Sequence, residues 1–181
     1  MKICVLGSHP ETRDLAPFGD PSWQIWACSP HNAPPFFTLP RFDRWYEVHE
    51  VAFDAATRQQ NYLDYLKTIE QPLYMRDRRD HPKAIPYPFD EMEDRYGAFF
   101  LQTSSIALMM AHAIATIVDS AKGMEPEPSM LGVFGVMQQS AGEYTYQLPG
   151  IQYYIQRAHD LGIDVVVPDG TNLFSVRKLN F

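Results

Sequence analysis

Basic charge is scarce in this chain: 181 residues carry 15 Lys and Arg against 22 Asp and Glu, a formal net charge of -7. That balance excludes non-specific nucleic-acid binding and docking on anionic membranes, both of which need a basic footprint. Small anionic ligands stay admissible, because single arginines and helix N-termini hold them even on acidic proteins. Cysteine is nearly absent, with only Cys4 and Cys28, each inside an apolar run. Both therefore read as small buried hydrophobes in a reducing compartment rather than as a disulfide, a metal pair or a nucleophile. Long apolar runs are missing too. The longest, near residues 106 to 118, contains His112 and is too short to span a bilayer, and no charged-then-apolar leader opens the chain, so a soluble, cytoplasmic protein without membrane partners is expected. Neither a G-x-G-x-x-G fingerprint nor a G-x-S-x-G elbow occurs, and no His/Cys/Asp grouping has ligand spacing, so no cofactor and no metal are expected. Without repeats or a linker, residues 1–181 read as one domain.

What is present is concentrated first in Lys2-Ile3-Cys4-Val5-Leu6-Gly7-Ser8-His9-Pro10-Glu11-Thr12-Arg13. An apolar run of strand length ending on glycine reads as a buried parallel strand feeding a ligand loop. Gly7 allows close backbone approach, Ser8 and Thr12 offer hydroxyls, His9 a ring and Arg13 a planar cation. The alternative is an ordinary strand-to-helix turn in which Ser8 or Thr12 caps the next helix.

Further strands are predicted at Gln24 to Ser29, Arg44 to His49, Leu73 to Met75, Ser129 to Val136 and Asp164 to Val167, with helices over 54–70, from Asp90 to Tyr96 and from Ile106 to Val118. Leu15 to Gly19 reads as a short helix or turn, and residues 30–40, with four prolines, as an extended loop. Alternation along the third strand puts Trp45, Glu47 and His49 on one face and Tyr46 and Val48 on the other. If that strand ends at the same sheet edge as Gly7 and Ser29, then Glu47 and His49 approach the cleft where open α/β sheets bind ligands. Together with His9 they are the candidates for a catalytic base. The helix from Ile106 is apolar nearly all round and should be central, and Thr103-Ser104-Ser105 before it present three hydroxyls at a helix N-terminus. The alternative is that one of the three serves only as a cap. Gly135 ends a buried strand, Glu143-Tyr144-Thr145-Tyr146 reads as a lid or ligand-facing loop, and Pro149 should open an amphipathic helix burying Ile151, Tyr154, Ile155, Ala158 and Leu161. Strands alternating with helices imply an α/β fold, a single Rossmann-like domain with a mostly parallel sheet and helices on both faces.

The same pieces resemble a family. Gly7-Ser8-His9-Pro10-Glu11-Thr12 after the first strand, Ser29 at the end of the second, and Thr103-Ser104-Ser105 before a helix rich in small residues are similar to the sialyltransferase-like Rossmann fold of glycosyltransferase family 42 and the MptE-like proteins. Gly135-Val136-Met137 followed by Tyr144 and Tyr146 matches the strand and tyrosine-bearing loop that follow there. The layout, with Arg41 to His49, also resembles proteins carried by bacterial viruses. The resemblance implies a pocket for a nucleotide or nucleotide sugar lined by the first loop, Ser29 and Thr103 to Ser105. It also marks two departures: the family's Gly-Ile-Asp acid is Met137 here, and the region of its catalytic histidine reads Tyr146-Gln147-Leu148-Pro149.

Three functions follow as expectations. The first is non-catalytic binding of a nucleotide or nucleotide-derived molecule, its base or ribose stacked on Tyr144, Tyr146 or Trp45, as in sequestration of a signalling nucleotide during viral infection. The second is a glycosyltransferase-like enzyme with a relocated base, and the third an inhibitor that binds a host protein through aromatic-rich loops. The oligomeric state stays open, a homo-oligomer included.

Overall fold

The structure is a computed structural model that describes residues 1–28, 39–49, 60–76, 78, 81–123, 128–137 and 144–174, and only the backbone of residues 60, 61, 63 and 144–146. Its strands are β1 (Lys2–Leu6), β2 (Trp23–Cys28), β3 (Arg44–Glu47), β4 (Leu73–Met75), β5 (Ile85–Pro86), β6 (Met130–Phe134) and β7 (Asp164–Val166). They form one seven-stranded sheet in the order β5-β4-β3-β2-β1-β6-β7, and every pairing is parallel. From β1 the chain therefore builds outward to β5, then returns to lay β6 against the free side of β1 and continues to β7. The strand order reverses between β1 and β6.

The helices are α1 (Pro10–Arg13), α2 (Gln60–Thr68), α3 (Phe89–Tyr96), α4 (Ala98–Leu101), α5 (Ser105–Ser120) and α6 (Tyr144–Asp160). Alternation within the strands divides the core in two. Ile3, Val5, Trp26, Tyr46 and Val48 pack with α5 and α6 on one face, and Cys4, Leu6, Ile25, Ala27 and Trp45 pack with Tyr62 and Leu66 of α2 on the other. Outward and returning connections thus use opposite faces, as right-handed crossovers require. The fold is the expected α/β Rossmann-like arrangement. Central α5 earns its place by burial: Met109, Met110, Ala111, Ala113 and Ile114 are all 0% exposed, and each large apolar side chain so removed from water contributes about 1.5–3 kcal/mol. Both cysteines are buried.

Several expectations need correction. The first helix is Pro10–Arg13, and Leu15 to Gly19, read as a short helix or turn, is a turn. Proline suits a first helical turn, where the missing N–H would have had no acceptor. Its N-cap is His9, and no side chain caps it, so neither Ser8 nor Thr12 plays that part. The last helix begins at Tyr144 and carries Pro149 inside it. Residues 144–146 therefore belong to a helix rather than a lid loop. The lost backbone bond at Pro149 is offset by a continuous apolar face through Leu148, Ile151, Tyr154, Ile155 and Ala158. Leu161, expected on that face, is 41% exposed. Gly162, with φ +73°, turns the chain after the helix, and Ile163 is buried in its place. Helix α4 had no counterpart in the sequence reading. In the charged stretch after β4, Arg76 and Arg78 are exposed, whereas His81 is buried.

Candidate functional site

The carboxyl edge of the sheet at the β1/β6 reversal is where an open α/β fold leaves a crevice. Here the two strand tips do not splay. Gly7 N–H donates to the Phe134 carbonyl at 2.8 Å and His9 N–H to the Gly135 carbonyl at 2.8 Å, so the pairing of Leu6 with Phe134 is carried past both strand ends. The approach is close enough to demand glycine on both sides. A Cβ on Gly7 would lie 2.4 Å from the Gly135 carbonyl oxygen, and one on Gly135 would lie 2.3 Å from that of Gly7. Gly135 also has φ +65°, a left-handed conformation costly for any residue with a Cβ. The result is a floor of two buried glycines with exposed Ser8 at its rim.

Two polar atoms beside this floor are buried and have no hydrogen-bond partner among the described residues: Nδ1 of His9 and Oγ1 of Thr12. Thr12 is 1% exposed as a whole residue. Buried polar groups left in this state are uncommon and mark a place where water or a ligand completes the bonding. Arg13 packs here as well, its Cβ 3.2 Å from where a Gly135 side chain would start, and its Nε donates to Asp14 Oδ1 at 2.8 Å. From the far side, Thr171 Oγ1 donates to the Val136 carbonyl at 3.2 Å and ties the segment after β7 to the β6 tip.

Helix α5 points its N-terminus at the same edge. Its last residue, Ser120, lies beside Met1, Oγ 3.7 Å from Sδ. From there the helix climbs about 22 Å to Ser105, and β1 climbs roughly 20 Å from Met1 to Gly7. The three hydroxyls expected there divide their work. Ser104 is the N-cap and accepts from Ala107 N–H at 3.0 Å. Thr103 Oγ1 donates to the Phe100 carbonyl at 2.9 Å and lies against α6, where a Cβ on Gly150 would come within 2.0 Å of it. Thr103 is therefore committed to helix packing. Ser105 opens the helix half-buried, and its amide and that of Ile106 have no intrahelical acceptor.

Strand β3 ends on the same edge, since Cys28 pairs with Tyr46. Glu47 is 1% exposed. It accepts from Tyr62 Oη at 2.5 Å, from His49 N–H at 3.2 Å, and lies 2.5 Å from His49 Nδ1. Trp45 Nε1 in turn reaches Tyr62 Oη at 3.4 Å. The buried carboxylate fixes the imidazole rather than facing a crevice itself, while the His49 side chain is 24% exposed. Tyr62 is the member that sequence reading missed. It lies inside the helix predicted over 54–70, where nothing in the local pattern sets it apart.

The structure thus gathers Gly7, Ser8, His9, Thr12, Arg13 and Gly135 at one point, with Ser104 and Ser105 level with it along α5 and Glu47 and His49 two strands away. Ser29 and Glu143 lie outside the described residues, as do the side chains of Tyr144 and Tyr146. Among the described residues no group of three His, Cys, Asp or Glu is placed to hold a metal ion, and no helix is long and apolar enough to cross a membrane. No protein-family model, curated protein or solved structure matches the chain.

Proposed function

We propose that the chain binds a nucleotide or nucleotide-derived small molecule over the β1/β6 tips. The observation that carries this reading is the glycine floor with two buried polar atoms, His9 Nδ1 and Thr12 Oγ1, unpartnered among the described residues, beside it. Paired glycines let the two strand tips close on each other, which leaves exposed Ser8 at the rim to meet a ligand. The start of α5 adds two uncommitted amides and the positive end of a 16-residue helix, a setting that favours phosphate. The similarity of the first loop and of Thr103 to Ser105 to the sialyltransferase-like family supports the same ligand class.

A second reading, a glycosyltransferase-like enzyme using a nucleotide-sugar donor, draws on Glu47 and His49. A buried carboxylate 2.5 Å from Nδ1 is the arrangement that orients an imidazole for proton transfer, and inverting transfer needs such a base near the acceptor hydroxyl. Met137, where the family has an acid, weighs against it.

Incubation with a panel of nucleotides and nucleotide sugars, followed by heating and analysis of the released molecules, separates the two. Return of an unaltered nucleotide supports sequestration, and conversion to products supports the transferase. Retention of nothing overturns both.

A further inference from the structure

Away from the β1/β6 tips, on the sheet face covered by α5, a half-buried cation stands without a counter-ion. Arg13, Arg41 and Arg95 each meet a carboxylate. Arg44, the first residue of β3, meets none among the described residues; its Nη1 donates to Tyr74 Oη at 3.3 Å, and the guanidinium also comes within hydrogen-bonding reach of the Tyr46 hydroxyl. Its guanidinium carbon lies 4.2 Å from the centroid of the Trp26 ring and 5.6 Å from that of Tyr74. The guanidinium N–H donors all lie in its plane, so those not used by the tyrosine hydroxyls remain for an edge-on partner.

Among the described residues the surroundings are aromatic and uncharged. His112 of α5 contacts Trp26, Tyr46, Tyr74 and Tyr87, and its Nδ1 is 2.9 Å from Tyr46 Oη. Burial, then the charge of Arg44, pushes this histidine down to about 4, so it is neutral at pH 7 and adds no second cation. Register places Arg44 opposite Trp26, two residues short of the level of Cys28. With two strand spacings between β3 and β1, the group stands roughly 10 Å or more from the glycine floor.

We infer that Arg44 anchors a second ligand site, one that takes the carboxylate of a small monoanion edge-on through its in-plane N–H donors. A single unneutralised guanidinium half-withdrawn from water is costly unless an anion completes it. One positive charge beside neutral rings suits a carboxylate better than a dianionic phosphate, and a guanidinium takes a carboxylate through two parallel bonds. The site is independent of nucleotide binding, and either can fail without the other.

The test is titration of the intact protein with acetate, benzoate and inorganic phosphate, following the indole N–H resonance of Trp26, which lies under the guanidinium. Saturable shifts with the carboxylates, about 10- to 100-fold weaker binding in Arg44→Gln, and no competition from nucleotide are expected. Tyr74→Phe frees the Nη1 donor while keeping the charge, and should bind at least as tightly as the parent. That variant decides the matter if Arg44→Gln does not fold. No saturable shift, a shift that survives in Arg44→Gln, weaker binding in Tyr74→Phe, or tighter binding of phosphate than of either carboxylate would overturn the inference.

Discussion

Alanine substitution of Gly135 tests the glycine floor, because two separable costs meet at that one residue. The first is conformational: φ +65° costs a residue with a Cβ about 1–2 kcal/mol. The second is steric, since the new Cβ would lie 2.3 Å from the Gly7 carbonyl oxygen, which is backbone and cannot swing aside. Relief requires the tips to part by about 1 Å, enough to break the two bonds from Gly7 and His9 amides, at about 1 kcal/mol each. A total near 3–4 kcal/mol follows for Gly135→Ala. Three other glycines isolate the parts. Gly7→Ala has the clash, 2.4 Å, without the positive φ and should lose about 2 kcal/mol. Gly162→Ala has φ +73° in open space and should lose about 1 kcal/mol. Gly19, with neither feature, should change by less than about 0.5 kcal/mol. Urea unfolding midpoints read the series. Equal losses at Gly135 and Gly162 would refute the laced-tip geometry, because only the shared conformational cost would then be operating.

Tyr62→Phe removes a donor from the fully buried Glu47 carboxylate and an acceptor from Trp45, and should lower unfolding stability by about 1–3 kcal/mol; urea midpoints check it. Ser104→Ala deletes the α5 cap and should cost about 1 kcal/mol, while Ser105→Ala costs a few tenths. His112 gives a pH dependence. Its folded value near 4 lies below the usual 6.5, so the unfolded chain takes up the proton first. Its contribution, in full above pH 6.5, declines as pH falls and is lost by about pH 4, a change on the order of 3 kcal/mol. Comparison of wild type and His112→Gln at pH 7 and pH 5 should show the larger pH-dependent loss in the wild type. Equal losses would contradict that assignment.

The parallel sheet was legible because buried parallel strands are written as continuous apolar runs, and Lys2 to Leu6 and Leu73 to Met75 needed no adjustment. Central α5 was legible from its all-round apolarity. Local hydroxyl chemistry was harder: three hydroxyl residues in a row announced a helix start, but which one caps and which packs depends on Gly150, 45 to 47 residues downstream of them by sequence, coming within reach of Thr103. Pro149 misled for a similar reason. A proline marks a helix start when nothing else is known, and only the apolar face against α5 shows that the helix begins earlier. The pairing of Glu47 with His49 was readable as alternation on one strand, whereas its third member came from α2, through packing that no local pattern encodes. The glycine floor, too, joins residues that only the sheet order brings together.

The most direct measurement of the central claim is nucleotide binding by the wild-type chain and by Ser8→Asp, followed by equilibrium dialysis across a nucleotide panel. Ser8 is exposed at the rim, so the substitution leaves the fold intact while setting a carboxylate beside the glycine floor. The account predicts that at least one nucleotide is retained by the wild type and that the added charge weakens it by about tenfold or more. Retention of none, or equal affinity in the two proteins, would contradict it.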